Sequence, residues 1–101
     1  MTILRLAVPA LLLAGAVTAA AAEWKNCLGD EQRRAALASR KAVPVVRALR
    51  TVKARLRGDV IKVRLCRAEK GLVYVLTVLA SDGKVTQATV DAANGQWIGG
   101  T

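Results

Sequence analysis

Alternation of apolar and polar positions between residues 59 and 98 predicts three β-strands in succession. The first, residues 60–67, places two sets of side chains on opposite faces, Ile61, Val63 and Leu65 against Lys62, Arg64 and Cys66. The second, residues 72–80, is apolar on both faces, which is typical of a central strand covered on both sides. The third runs over residues 85–91. Asp82-Gly83 and Asn94-Gly95 follow the last two strands and indicate tight turns, so the sequence predicts an antiparallel meander.

Two helices are predicted before the strands. The first spans residues 31–41 and would be capped by Asp30. Pro44 separates it from a second helix over residues 45–57, which would end at Gly58 as a C-cap residue. Apolar residues in this second helix recur at helical spacing and form one stripe, made of Val45, Leu49, Val52 and Leu56 with Val46 at its edge. We therefore expect an α+β fold, with two N-terminal helices packed on a three-stranded antiparallel β-meander and the second helix covering Ile61, Val63 and Leu65.

The first 22 residues are typical of a cleavable signal peptide. Arg5 precedes an apolar run over residues 6–17, and Ala20-Ala21-Ala22 offers an Ala-x-Ala cleavage site before Glu23. A retained membrane anchor is the alternative, but the run contains Pro9 and Gly15 and is shorter than the ~20 residues of a comfortable span. We expect cleavage, a periplasmic or secreted protein, and no stable membrane span.

Two cysteines indicate how the remaining chain is held together. We expect a lead-in over residues 23–30 and one small domain over residues 31–101. Cys27 and Cys66 in a small exported chain indicate a disulfide, although two free buried thiols or a redox pair are alternatives. Because Cys66 lies on the face that the second helix does not cover, we expect the lead-in to cross that face. Trp24 and Leu28 would then lie over the central strand.

Positive charge is concentrated in the helical half of the chain. The sequence has 16 basic and 7 acidic residues, a formal net charge of +9, and no acidic residue occurs between Glu31 and Asp59. Four basic residues line one face of the second predicted helix: Arg47, Arg50, Lys53 and Arg57. This face either binds an anionic partner or is an ordinary solvated face. Export makes nucleic acid an unexpected partner.

Residues that commonly perform catalysis are scarce. Histidine is absent, which removes the commonest general base and the commonest metal ligand. The two serines, Ser39 and Ser81, lie in no nucleophile motif, and the glycines fit turns and a helix end. Asp82 and Asp91 are expected to support turns by accepting backbone N–H groups. We therefore expect no enzymatic activity, no metal and no cofactor.

Two aromatic residues are candidates for contact with a partner. Tyr74 lies on the central strand, where a tyrosine is more often a core residue with its hydroxyl at the rim. Trp97, near the C-terminus, is either a packing residue at the sheet edge or an exposed anchor. The sequence leaves both alternatives open.

The order of these motifs resembles the PepSY family of small extracytoplasmic domains. The matching segments are Val43-Pro44-Val45, Gly58-Asp59-Val60-x-x-Val63-x-Leu65, Gly71-x-Val73-Tyr74, Asp82-Gly83-x-Val85 and Val90-Asp91-Ala92-x-x-Gly95. The resemblance covers about residues 31–98. Asn94 departs from the Thr that is usual in the family, and the second helix lacks the common Tyr-Pro-Gly end. The resemblance implies that the paired cysteines belong to a subgroup.

The resemblance also implies a class of function. PepSY domains are non-catalytic, occur in propeptides of secreted metallopeptidases and as stand-alone envelope proteins, and are proposed to restrain peptidases or to modulate envelope signalling. We therefore expect a protein-binding or regulatory module that uses a sheet edge or the basic helix. A second hypothesis is binding of an anionic envelope polymer or lipid through the basic helix face, which salt would weaken steeply. A third is a monomer whose basicity only aids solubility.

Overall fold

The computed structural model describes residue 24 and residues 26–100. The predicted signal peptide, residues 1–22, lies outside the described residues. Two helices precede four strands, in the order α1 (Asp30–Ala38), α2 (Val45–Arg55), β1 (Asp59–Ala68), β2 (Gly71–Leu79), β3 (Val85–Asp91) and β4 (Trp97–Gly100). The fold is α+β, as predicted. Within the described part of the chain, no helix is long and apolar enough to cross a membrane.

The strands form one antiparallel sheet in the order β1-β2-β3-β4. Central strand β2 pairs with both neighbours, so that Tyr74 lies opposite Leu65 on one side and Val90 on the other. Residues of β2 are buried on both faces: Tyr74, Leu76 and Val78 on the helix side, and Val73 and Val75 on the opposite side. The strand is therefore covered on both sides over residues 73–76, as predicted, whereas Leu79 at its end is exposed on the side away from the helices.

A fourth strand, β4, was not predicted. Its four residues pair with β3, with Val90 opposite Trp97 and Ala88 opposite Gly100. Two of the four residues are glycines, which have low strand propensity, and the segment is too short to show alternation. The three-stranded meander is therefore corrected to a four-stranded one.

Asparagine and aspartate side chains hold the turns. Oδ1 of Asp82 accepts a hydrogen bond from the N–H of Lys84 at 3.0 Å, and Oδ1 of Asp91 accepts one from the N–H of Ala93 at 2.8 Å. Asn94 does the same for Gln96 at 2.9 Å. These Asx-type contacts confirm that both aspartates support their turns.

The helix ends differ from the predicted ends. Helix α1 has Gly29, not Asp30, at its N-cap, and Asp30 lies in the first turn, where it pairs with Arg33 at 3.0 Å. Helix α2 ends at Arg55 because Leu56 takes up an extended conformation (φ −124°, ψ 143°) and packs against the core. Gly58 is therefore not a C-cap residue; it lies in the connection that leads into β1.

Helix α2 covers one face of the sheet with the predicted stripe. Ala48 and Val52 are fully buried, while Val45, Leu49 and Leu56 pack partly buried around them. Val46 is exposed. We call the buried cluster beneath the helices the main core; its members are Ala36, Ala42, Ala48, Val52, Leu65, Tyr74, Leu76, Val78, Ala88, Val90 and Ala92.

A β-bulge in β1 overturns one predicted core position. The pairing with β2 is irregular between Val60 and Lys62, where Val60 lies opposite Val78 and Lys62 opposite Thr77. Ile61 is the extra residue and remains 56% exposed, whereas Val60 packs against the main core in its place. The prediction holds for Val63 and Leu65 and is wrong for Ile61.

The predicted disulfide between Cys27 and Cys66 is present. The lead-in does not cross the sheet; it runs antiparallel along the edge of β1. The N–H of Leu28 donates to the carbonyl oxygen of Leu65 at 2.8 Å, and the N–H of Arg67 donates to that of Asn26 at 3.0 Å. The two cysteines thus face each other in a non-hydrogen-bonded pair, in which side chains approach most closely.

Neighbouring residues of the lead-in point to opposite faces of the sheet. Trp24 and Cys27 pack against Val73 and Val75 on the face away from the helices, as predicted for Trp24. Leu28 packs against the main core on the helix side. The predicted position of Leu28 is wrong because an added edge strand alternates its side chains, whereas a segment lying across the face would not.

Candidate functional site

The four basic residues predicted on α2 do not form one set. Arg47 is held by the turn between β3 and β4, because its Nη2 donates to the carbonyl oxygen of Asn94 at 2.9 Å. Arg57 lies beyond the end of the helix. Arg50 and Lys53 remain on the helix, and both are exposed. Three of the four residues therefore lie on the helix and are exposed, and one of the three, Arg47, is bonded to the turn.

A different stripe of α2 faces the strands. Thr51 lies one turn after Arg47, and its hydroxyl donates to the carbonyl oxygen of Gly95 at 2.6 Å. One turn further on, the guanidinium of Arg55 lies over the ring of Trp97, 5.0 Å from its centroid. The i, i+4 spacing of Arg47, Thr51 and Arg55 indicates that the three side chains share one face of the helix. The sequence does not show that this face contacts the turn between β3 and β4, because β4 was not predicted.

The two aromatic candidates are packing residues. Trp97 packs against the main core and beneath Arg55, which favours the first of its two alternatives. Tyr74 is fully buried, and its hydroxyl donates to the carbonyl oxygen of Val43. Burial raises the pKa of Tyr74 above its usual value of 10.0, while the charge of Arg33 opposes this rise. Tyr74 is therefore a core residue with no exposed surface in the folded protein, which favours the more common of its two alternatives.

The helices leave one face of the sheet uncovered, and we call it the open face. Strand register places its side chains in cross-strand rows: Lys62 with Thr77 and Gln87, Arg64 with Val75 and Thr89, and Asp59 with Leu79 and Val85. Lys62 and Arg64 are exposed, as are the large apolar side chains of Leu79, Val85 and Ile98. Leu79 and Val85 thus lie in the row next to that of Lys62, whereas Ile98, on β4, lies further along β3, where it borders the same cleft as Thr89 and Asp91.

Trp24 and Ile98 border a cleft at one end of the open face. Its volume is about 640 Å³. Val73 and Thr89 also line it, and its charged lining residues are Glu69, Lys70 and Asp91. Val73 and Val75 are 5% and 3% exposed, and the side chain packed on them from outside the sheet is Trp24. The lead-in is therefore part of this surface.

Sequence reasoning placed Lys62 and Arg64 correctly but did not identify this face as a site. Alternation with Cys66 assigned both residues to the face away from α2. The missing information was how much of that face the lead-in covers. Because the lead-in follows the strand edge, it covers only the part near Cys66 and leaves the rest exposed.

Lys62 and Arg64 form no salt bridge within the described residues. Among the residues that the structure describes, no group of three or more His, Cys, Asp or Glu side chains is placed to hold a metal ion. The salt bridge between Arg33 and Asp30 is the only one within the same residues. Lys62 and Arg64 therefore present unpaired positive charge beside apolar groups.

Comparison with known proteins identified no relative of this chain. No protein-family model, no curated protein and no solved structure matches the chain. The PepSY resemblance rests on the motifs in the sequence and stays a prediction.

Proposed function

We propose that this protein is a non-catalytic binding module of the bacterial envelope that holds an acidic, partly apolar surface of a partner protein on its open face. The observation that carries the proposal is the exposure of Leu79 and Val85 next to the row of Lys62, on a face of the sheet that neither α1 nor α2 covers. A small domain ordinarily buries each apolar sheet face against another layer. Exposed apolar side chains that lie together, as Leu79 and Val85 do, are typical of an interaction surface.

Charge favours an acidic protein over a second copy of the chain. The formal net charge of +9 opposes close approach of two identical molecules and attracts an acidic one. Apolar groups with cations nearby match the composition of protein interfaces, which combine apolar and polar areas. An anionic polymer would use the cations and leave Leu79, Val85 and Ile98 without a function.

Compartment and partner class form part of the same proposal. The disulfide is typical of an oxidising compartment, and the apolar start of the chain supports export to the periplasm or beyond. The PepSY resemblance supports a peptidase or an envelope sensor as the partner. The open face would then act by covering part of that protein.

The test compares two charge-reversal variants that change the net charge equally. Lys62→Glu/Arg64→Glu alters the open face, and Arg50→Glu/Lys53→Glu alters the solvent side of α2. Each variant and the unmodified protein are immobilised, incubated with an envelope extract and washed at low and then high salt. Retained proteins are identified by mass spectrometry, and binding to anionic lipid vesicles is measured in parallel by co-sedimentation.

We expect the unmodified protein and the α2 variant to retain one partner protein through the high-salt wash. The open-face variant should not retain it. A packed interface persists in salt, whereas contacts made by charge alone fade. Loss of the same protein from both variants would overturn the proposal. Vesicle binding that vanishes with salt and with the α2 variant would instead establish the basic helix as a site for anionic surfaces.

A further inference from the structure

The lead-in is attached to the domain by few contacts. We call Trp24 and residues 26–28 the strap. Within its described residues, two backbone hydrogen bonds reach β1, from Leu28 to Leu65 and from Arg67 to Asn26, and the disulfide lies between them. Trp24 and Leu28 add partly buried side chains on opposite faces of the sheet. These contacts lie outside the ladder that joins β1 to β4.

The main core does not depend on the strap. Leu28 is one of several partly buried residues at the rim of the main core, whose buried members all come from residues 36–92. The helices are fixed to the sheet by other contacts, including the N–H of Val43 bonded to Ala92 and the hydroxyl of Tyr74 bonded to Val43. Loss of the strap would therefore leave the helix-covered side of the sheet in place.

The smaller cluster, by contrast, does depend on the strap. It consists of Cys66, Val73 and Val75, with Trp24, Cys27 and Ala68 packed around it. Val75 lies between Arg64 and Thr89 in the cross-strand row of the open face. Removal of Trp24 would expose Val73 and Val75 and would extend the exposed apolar surface toward the middle of the open face.

The disulfide decides whether the strap is in place. Two backbone hydrogen bonds and two partly buried side chains must offset the conformational entropy of ordering the whole segment. With the Cys27–Cys66 bond intact, the strap is confined beside β1 and most of that entropy is already lost. Without the bond, few contacts remain to hold it.

We propose that the strap is a redox-controlled cover of the open face, which rests on the proposed role of that face in binding. One thiolate of a dithiol reductant attacks Sγ of Cys27, the more accessible of the two sulfur atoms, and Cys66 leaves as a thiolate that takes up a proton. The second thiol of the reductant then displaces Cys27 from the mixed disulfide. Two electrons and two protons pass to the protein, the reductant becomes a disulfide, and the strap detaches.

Hydrogen exchange of the oxidised and the reduced protein tests this without any partner. Reduction with dithiothreitol should accelerate exchange of the Leu28 and Arg67 amides at least tenfold. The amides of Val43 and Leu56, which bond Ala92 and Val52, should keep their protection. Unchanged exchange at Leu28 and Arg67 would overturn the proposal, and so would loss of protection throughout the domain, because the bond would then stabilise the whole fold.

A variant gives an independent readout of the same event. Cys27→Ser leaves Cys66 as a thiol that is fully buried while the strap is in place. Rapid labelling of Cys66 by a maleimide, with unchanged exchange at Val43 and Leu56, would show that the strap leaves the folded domain. Slow labelling would show that the strap stays bound without the disulfide and would overturn the proposal. Neither readout involves the partner, so failure of the strap and failure of the proposed binding function are distinguishable.

Discussion

The hydroxyl of Tyr74 on β2 donates a hydrogen bond to the backbone carbonyl of Val43 in the connection between α1 and α2. The same connection is bonded to the sheet a second time, through the N–H of Val43 and the carbonyl oxygen of Ala92. The connection between the two helices is therefore joined to the sheet at one residue by two hydrogen bonds. A tyrosine at a central position of β2 is long enough to reach from the sheet to this connection.

Tyr74→Phe should destabilise the domain by about 1 kcal/mol, because it leaves the Val43 carbonyl without its partner while the ring stays buried. Urea unfolding followed by circular dichroism measures the change, and the m-value should stay constant. Thr86→Val, a comparable loss of a hydroxyl on β3, is the control and should have a smaller effect. Equal effects of both variants would contradict a structural role for the Tyr74 hydroxyl.

Tyr74 should also make stability depend on pH at the alkaline end. Its pKa is raised in the folded protein above the ordinary 10.0, chiefly by burial, so the folded chain keeps a proton that the unfolded chain loses. The stabilisation by this group is complete below pH 10.0 and is lost as the pH rises from there through the folded pKa.

The measurement for this prediction is a difference between two proteins. Lysines also titrate at alkaline pH, so urea unfolding of the unmodified protein is compared with that of Tyr74→Phe across the same pH series. Tyr74 is the only tyrosine in the sequence, and tyrosinate absorbance therefore reports its titration alone. Parallel pH dependences of the two proteins would contradict the raised pKa.

Most of the fold follows from patterns that local chemistry controls. Strand β3 spans residues 85–91 as predicted, because turn-forming residues limit it on both sides. The double-sided apolar pattern of β2 identified the centre of the sheet, and Pro44 marked the start of α2. In each case the residues of the segment itself carry the signal.

The predictions that were wrong concern features that depend on neighbouring segments. The bulge at Ile61 is a property of the pairing between β1 and β2, and β1 contains no glycine or proline that would indicate it. Arg47 looked like a free surface charge until the turn carrying Asn94 was placed beside it. The open face became a candidate site only when the path of the strap was known. Alternation shows which residues share a face of the sheet, but not how much of that face another segment covers.

The bulge predicts different costs for two apolar residues of β1. Leu65 is 2% exposed, and Leu65→Ala should cost about 2–5 kcal/mol of stability. Ile61 is 56% exposed, and Ile61→Ala should cost less than about 1 kcal/mol. Simple alternation would make both residues core. Similar losses for the two variants in urea unfolding would therefore rule out the bulge.

Arg47 and Arg50 should differ although they are neighbours on α2. Arg47→Ala removes the hydrogen bond to Asn94 and should lower stability by about 0.5–1 kcal/mol, with faster hydrogen exchange in the turn between β3 and β4. Arg50→Ala removes the same charge from a solvent-exposed position and should stay within about 0.5 kcal/mol of the unmodified protein. Equal effects would mean that general charge repulsion, not the contact with Asn94, determines the result.

Two glycines allow backbone strain to be separated from steric overlap. Gly58 and Gly71 both have positive φ angles, 129° and 145°, which side-chain-bearing residues rarely adopt. A Cβ atom at Gly71 would meet no atom within 4 Å, whereas one at Gly58 would lie 2.6 Å from the carbonyl oxygen of Leu79.

Gly71→Ala should therefore cost about 1–2 kcal/mol from the backbone conformation alone. Gly58→Ala should cost at least about 1 kcal/mol more, because the end of β2 must move to make room and its backbone cannot rotate away as a side chain could. Urea unfolding of both variants gives the difference directly. If Gly58→Ala were no worse than Gly71→Ala, the close approach between the start of β1 and the end of β2 would not exist in solution.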